Sequence, residues 1–287
     1  MSRIGSFKSR ILSRELMVGT FLKTPHYVMI EIFAQSGFDF LCLDAEHAPF
    51  DRRAIDECMA VSRALDFPVL VRVGDTSHRE ILWALDCGAV GIVAPHIETV
   101  TQAEELAKAA RFGLGGRGYA GSSRWAGYAT KKMPDLLRQS KNETVVIAQI
   151  EEPAAVKIAG SIAKINGIDG LFAGPADLSV GMGFENQESN ELKAALKRVG
   201  EAAKASGKGY ASFVGDASQA ASWAEDYDVN MFFVGSEHSF IRNKADEIAA
   251  QIKAIQEISE GVLCIMTQVK DTGCPTIHSM QSYRPGR

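Results

Sequence analysis

The sequence predicts a closed (β/α)8 barrel, a TIM barrel, with an extra C-terminal tail, and three observations support that fold class. Short apolar, β-branched runs alternate with longer amphipathic stretches almost from end to end. Eight such runs, each followed by a helical pattern, fit into ~250 residues, the size of a (β/α)8 domain. The runs are apolar at nearly every position, as strands of a parallel sheet covered on both faces must be. An open doubly wound sheet would instead carry a glycine-rich phosphate turn after an early strand. The glycine-dense loop here, "GLGGRG" at 113–118, follows a helix.

In chain order, strands are expected at "LMVGTFL" (16–22), "DFLCLD" (39–44), "PVLVRV" (68–73) and "VGIVAP" (90–95). Four more are expected at "VVIAQI" (145–150), "GLFAG" (170–174), "YASFV" (210–214) and "MFFVG" (231–235). Between them lie amphipathic stretches such as "DRRAIDECMAVSRAL", "HREILWALDCG", "TQAEELAKAARF" and "ADEIAAQIKAIQEI". Residues 1–258 therefore read as one barrel domain. Two stretches stand outside the alternation. Residues 113–133, rich in Gly and Ser with Tyr119, Arg124, Trp125 and Tyr128, read as a flexible loop over the barrel mouth. Residues 259–287 read as a tail that is either disordered or wrapped on a neighbouring subunit.

Composition narrows the function classes. At 287 residues and 46% hydrophobic, the chain can bury a large core. A net charge of -4 without a basic stripe argues against nucleic acid as a partner. No apolar run reaches the ~18 residues of a membrane span. The start, "MSRIGSFKSRILSREL", lacks the hydrophobic core and cleavage site of a secretory signal; an amphipathic targeting sequence is the weaker alternative. The five cysteines form no CxxC pair, which points to a reducing cytoplasm.

In a (β/α)8 enzyme the active site lies at the carboxyl ends of the strands. There the second strand runs into Asp44, Glu46 and His47, the third into Arg72, and the fourth into His96 and Glu98. The fifth delivers Gln149 and Glu151, and the sixth runs into "GPADLS" with Asp177. The seventh and eighth end in neutral residues, Ser212 and Gly235. Five consecutive strands thus aim polar groups at one rim, which scattered surface charge would not do. Glu151 and Asp177 suit one hard divalent cation, Mg2+ or Mn2+, with Co2+ a third option; water and substrate oxygens would complete the shell. Glu151 also fits the first turn of a helix, where an acid favours the dipole. Zinc is disfavoured, because HExxH and a cysteine cluster are both missing. No strand from the second to the eighth carries a lysine, which argues against a Schiff-base aldolase; Lys23 sits just past the first strand. The turn at Gly174 and Pro175 frees the backbone N–H groups of Ala176 and Asp177 to hold a carboxylate. His47 is then the natural base, with Asp44 to orient it. Arg72 can stabilise charge developing on an enolate oxygen.

The segments "LDAEHAPFD", "PVLVRV", "GIVAPHIETVTQA", "AQIEEPAAV" and "FAGPADLS", in this order and spacing, resemble the HpcH/HpaI family of metal-dependent (class II) pyruvate aldolases over residues 12–255. The resemblance implies a pyruvate-binding (β/α)8 barrel, usually a homohexamer. It implies reversible cleavage of a 4-hydroxy-2-oxo acid into pyruvate and an aldehyde. Carried over by motif, His47 acts as general base through a metal-bound water, Asp44 is its dyad partner, and Arg72 stabilises the transition state. Gln149 contacts the pyruvyl group, Glu151 and Asp177 bind the metal, and the amides of Ala176 and Asp177 receive the carboxylate. Asp86 in "WALDCGA" matches an acid that raises the basicity of the histidine across a subunit contact; read without the resemblance it is a helix-end surface acid. The aromatic-rich loop at 113–133 and the long tail depart from the family pattern. Relatives with the same core also run decarboxylation of oxaloacetate type or citrate-type condensation, and these stand as alternatives. A non-catalytic barrel binding a 2-oxo acid is the third, and the complete His-Asp-Arg-Glu-Asp set argues against it.

Overall fold

In the computed structural model, residues 2–271 are described, with side chains up to residue 255. Strands and helices follow in the order α1 (Arg3–Leu12), β1 (Met17–Leu22), α2 (Val28–Ala34), β2 (Phe40–Asp44), α3 (Arg52–Ala64), β3 (Val69–Arg72), α4 (His78–Cys87), β4 (Gly91–Ala94) and α5 (Val100–Ala109). The chain continues with α6 (Met133–Glu143), β5 (Val145–Ile150), α7 (Pro153–Ala163), β6 (Gly170–Ala173), α8 (Pro175–Gly181), α9 (Asn190–Ala205), β7 (Gly209–Val214), α10 (Ala217–Tyr227), β8 (Met231–Ser236) and α11 (Glu237–Asp271). The eight strands form a closed parallel barrel in sequence order, with β1 pairing β8 through Met17 and Met231. The expected (β/α)8 architecture is present, and each expected strand is found within a residue or two of its expected ends.

Local chemistry sets the helix starts. Asp51, Ser77, Ser189 and Asp216 each cap a helix by accepting a backbone N–H of its first turn, and Thr99 with Gln102 makes a full capping box on α5. Gly91 opens β4 because a Cβ there would lie 2.2 Å from the Val145 carbonyl oxygen, so only glycine lets β4 and β5 approach.

The N-terminal stretch read from sequence as a weak targeting candidate is a structural helix. In α1, Ile4, Phe7 and Ile11 join the barrel core with Met17, Phe40, Val145 and Met231, the residues that start four strands. The apolar face of α1 therefore closes the amino-terminal end of the barrel. Towards the other end, Phe21, Phe172 and Phe233 pack with ring centroids 4.9–6.1 Å apart.

By internal contacts the chain divides into Met1–His238, which holds the barrel, and Ser239–Arg287. Helix α11 runs past the 258/259 boundary expected from sequence, to Asp271. The end of the expected tail, residues 272–287, lies outside the described residues. Among the described residues no helix is long and apolar enough to cross a membrane.

Candidate active site

Asp44 and Arg72 are the last residues of β2 and β3 and pair in register across the sheet. Both are buried. The Arg72 guanidinium lies 4.3 Å above the Phe21 ring, with Nη2 2.8 Å and Nε 3.0 Å from Asp44 Oδ1. Nε is also 3.2 Å from Glu46 Oε2. Asp44 Oδ1 further accepts the backbone N–H of His47 at 3.1 Å. The expected Asp44–His47 relationship therefore runs through the His47 backbone in this structure. The exposed imidazole instead faces Glu46, with Nε2 3.5 Å from Oε2. Asp44 Oδ2 is buried without a hydrogen-bond partner, and Lys23 Nζ stands 3.6 Å away.

A second cluster forms where β4, β5 and β6 end. Glu151 is buried just past β5; its Oε1 accepts the His96 backbone N–H at 2.6 Å and lies 3.0 Å from His96 Nδ1. Its Oε2 accepts from the Gln149 side-chain amide, whose own carbonyl oxygen is buried and unpaired. The Glu151 carboxyl is pushed above the usual carboxylate range, chiefly by burial. The His96 N–H and imidazole pull it down, and the Asp177 and Glu46 carboxylates push it up. Gly174 shows how closely the acids converge: a Cβ there would lie 3.2 Å from Asp177 Oδ2 and 3.5 Å from Glu151 Oε2. Ala176 and Asp177 sit in the first turn of α8, where their N–H groups have no partner within the helix.

His96 joins the two clusters. Its Nε2 is 3.2 Å from Glu46 Oε1, and its backbone holds φ 54°, left-handed and costly for a non-glycine residue. The sequence places His96 and Glu46 at the rim, outside the expected catalytic and metal set; the family resemblance gives His96 a contact to a loop or a neighbouring subunit, or to substrate in a decarboxylase. The sign that would have singled them out, a strained backbone and a shared acid, exists only in three dimensions.

One expectation, the loop at 113–133, needs correction, and two acids need placing. Asp86 ends α4 and is held at 2.5 Å by Arg117, so within the chain it is not brought to the rim cluster. Arg117 is itself buried between the Phe112 and Trp125 rings, 4.7 Å from each centroid. The 113–133 segment does not cover its own barrel mouth. It follows α5, which returns the chain to the amino-terminal end of the strands, and it is tied to α3 and α4. Trp125 N–H donates to the Asp86 carbonyl at 3.2 Å, and Arg124 pairs with Asp56 at 2.8 Å. β8 ends in the neutral Gly235 and Ser236, as expected, but an acid follows at once. Glu237, directly after it and buried, accepts the backbone N–H groups of Lys23 and Thr24 at 2.9 and 2.6 Å, fixing the loop after β1.

Among the described residues no group of three or more His, Cys, Asp or Glu is arranged to hold a metal. Glu151 and Asp177, converging beside Gly174, nevertheless fit a hard cation that takes one or two protein carboxylates and leaves its other positions to water and substrate. The donors are all oxygen, and the Asp177 and Glu46 carboxylates that act on Glu151 bring negative charge a cation would balance.

A sequence model of the HpcH/HpaI aldolase/citrate lyase family matches residues 17–243. A hydroxypyruvate/pyruvate aldolase from Delftia acidovorans is 32% identical over 259 residues, 87% of this chain and 93% of its own length. A 4-hydroxy-2-oxovalerate aldolase from Rhodococcus jostii is 32% identical over 72% of this chain and 81% of its own. The crystal structure of an HpcH/HpaI aldolase/citrate lyase family protein from Burkholderia cenocepacia superposes with a TM-score of 0.78 at 30% identity, covering 89% of this chain and 99% of that one.

Proposed function

The chain belongs to the HpcH/HpaI aldolase/citrate lyase family, and from that premise we propose a site that breaks and makes a C–C bond beside the carbonyl of a 2-oxo acid. It is a carbon–carbon lyase of the aldolase type. The substrate class is a 4-hydroxy-2-oxo acid, cleaved reversibly to pyruvate and an aldehyde. The observation that carries this reading is the convergence of Glu151 and Asp177 at Gly174, beside a buried Arg72 held by Asp44 and Glu46.

Glu151 and Asp177 would hold a divalent cation, Mg2+ or Mn2+, which supplies Lewis-acid polarisation of the keto group when bound. The amides of Ala176 and Asp177 take the substrate carboxylate, and Gln149, whose Nε2–H donates to Glu151, contacts the pyruvyl group from the strand beside them. His47 removes the C4 hydroxyl proton; the C3–C4 bond breaks, the aldehyde leaves, and its electron pair forms the enolate of pyruvate. Protonation at C3 completes the turnover. Arg72 cannot lose its charge, and its two carboxylates fix its orientation, so it presents a preset cation to the enolate oxygen. Asp44 is a positioning residue, aligning both Arg72 and the His47 backbone. Asp86 has no part within one chain; a role for it belongs to a homo-oligomer, a hexamer by family pattern. Decarboxylation or citrate-type condensation would use the same residues, and the aldolase names of both relatives favour cleavage.

The test is exchange of the pyruvate C3 protons with D2O, followed by NMR with and without chelator, and then aldehyde release from 4-hydroxy-2-oxo acids. Metal-dependent exchange is expected. Exchange that survives exhaustive chelation, or none at all with metal present, would overturn the mechanism.

A further inference from the structure

A cavity of about 1120 Å³ opens at the opposite, amino-terminal end of the barrel. It is bounded by α1, α5, α6 and the segments leading into β6 and β7, and it carries Lys8, Lys108, Arg111, Lys141 and Lys208 against Asp169 and Glu104. Five cations thus face two carboxylates. We propose that this cavity is a binding site for a small, multiply charged oxyanion of the phosphate or polycarboxylate class, separate from the catalytic mouth.

The charge balance at its inner wall is the first support. Asp169 is nearly buried, and two cations share it: Lys8 Nζ at 2.9 Å and Arg111 Nη2 at 2.6 Å. Its Oδ2 also accepts the Val146 N–H at 2.9 Å. Lys208 has only a carbonyl partner, that of Ile168 at 2.7 Å. Lys8 also donates to the Lys141 and Thr144 carbonyls, and Arg111 to those of Ser140, Thr144 and Gly167; these contacts satisfy N–H groups but not charge, so three cations beside one carboxylate keep a positive surplus that an anion would balance. The Lys8 ammonium feels this: burial, Arg111 and Lys208 all act to lower its pKa, and Asp169 opposes them.

The open wall is the second support. Lys108 and Lys141, on α5 and α6, have no carboxylate within ion-pair distance among the described residues and line the same space. Glu104 on α5 balances one of them at most. A purely structural pair would need one cation for Asp169, and four more are present. A singly charged ligand would not match that surplus, whereas a dianion or trianion would. Bound there, it would tie α1 to α5 and α6 and so brace the helix that closes the barrel.

The full chain is titrated calorimetrically with inorganic phosphate and, in a second arm, with citrate, at low ionic strength and again at raised salt. Binding of either at one site per chain, weakening as salt rises, is expected; the stronger of the two arms assigns the class. The Lys108→Glu/Lys141→Glu double variant should bind at least ~10-fold more weakly, by loss of Coulomb attraction. Lys108→Gln/Lys141→Gln should fall between the double variant and wild type. Arg72→Lys, at the other end, should bind as wild type does. Both substituted lysines lie on helix surfaces, and an unchanged unfolding midpoint without anion checks the fold. Absence of binding in both arms overturns the proposal. So does wild-type affinity in the charge-reversed variant, or loss of affinity in Arg72→Lys instead.

Discussion

At the amino-terminal end of the barrel Asp169 meets two cations and a backbone N–H, while at the carboxyl-terminal end Asp44, Glu46 and Glu151 crowd around Arg72 and His96. Asp44 Oδ2, Glu46 Oε2 and Gln149 Oε1 stay buried there without a hydrogen bond. A carboxylate whose partners come from α1, the end of α5 and β5 holds those elements together. Buried oxygens without a hydrogen bond occur at the amino-terminal end too, Glu143 Oε2 and Thr144 Oγ1 among them, so what sets the carboxyl-terminal rim apart is the gathering of Asp44, Glu46 and Glu151 about one arginine and one histidine. Asp169 thus serves the fold at one end, while the acids at the other gather where a (β/α)8 barrel carries its active site.

The largest effect should come from the acids that converge on Gly174. Glu151→Ala or Asp177→Ala is expected to abolish divalent-metal binding and turnover while circular dichroism and the unfolding midpoint stay near wild type. Unchanged metal affinity in a calorimetric titration would break the comparison at its centre.

His47→Ala should lower aldol cleavage by about 10² or more, the usual contribution of a positioned general base. Wild-type pyruvate proton exchange in that variant would place the base elsewhere, with His96 next in line. Arg72→Lys should lower kcat by about 10², the scale of losing one positioned donor. The pyruvate inhibition constant should move much less, since the charge Arg72 meets appears mainly in the transition state. Near-normal turnover with a lowered melting temperature would make Arg72 resemble Asp169, a structural partner only.

At the other end the pattern should reverse. Asp169→Ala leaves Lys8 and Arg111 without their carboxylate, and a loss of about 3 kcal/mol in unfolding free energy is expected at the low end of the buried-pair range. Denaturant unfolding measures it, and kcat at a temperature where the variant is folded should equal that of wild type. The smallest effect belongs to Lys23→Met. Its ammonium is partly solvated and 3.6 Å from Asp44 Oδ2, so kcat should change by less than about threefold, as for other exposed pairs. A tenfold loss would move Lys23 into the site.

What the sequence determined by itself was whatever depends on local periodicity and on strand order. Runs such as "VVIAQI" can only be strands covered on both faces, and eight of them alternating with amphipathic helices close into a barrel whose carboxyl rim must carry Asp44, His47, Arg72, Gln149, Glu151 and Asp177. Only the tertiary structure decided which of these groups meet. Asp44 reaches the His47 backbone and shares Arg72 with Glu46, and His96 adopts a left-handed backbone to stand between Glu46 and Glu151. Glu237 was hidden in sequence because it follows a strand that ends in Gly235 and Ser236, and its partners lie more than two hundred residues away, at Lys23 and Thr24. The loop at 113–133 looked like a lid because its composition says only that it is irregular; the return direction of α5 sends it along α3 and α4 instead. Periodicity is written in neighbours three or four residues apart, whereas pairing, burial and strain arise between segments that only the closed barrel brings together.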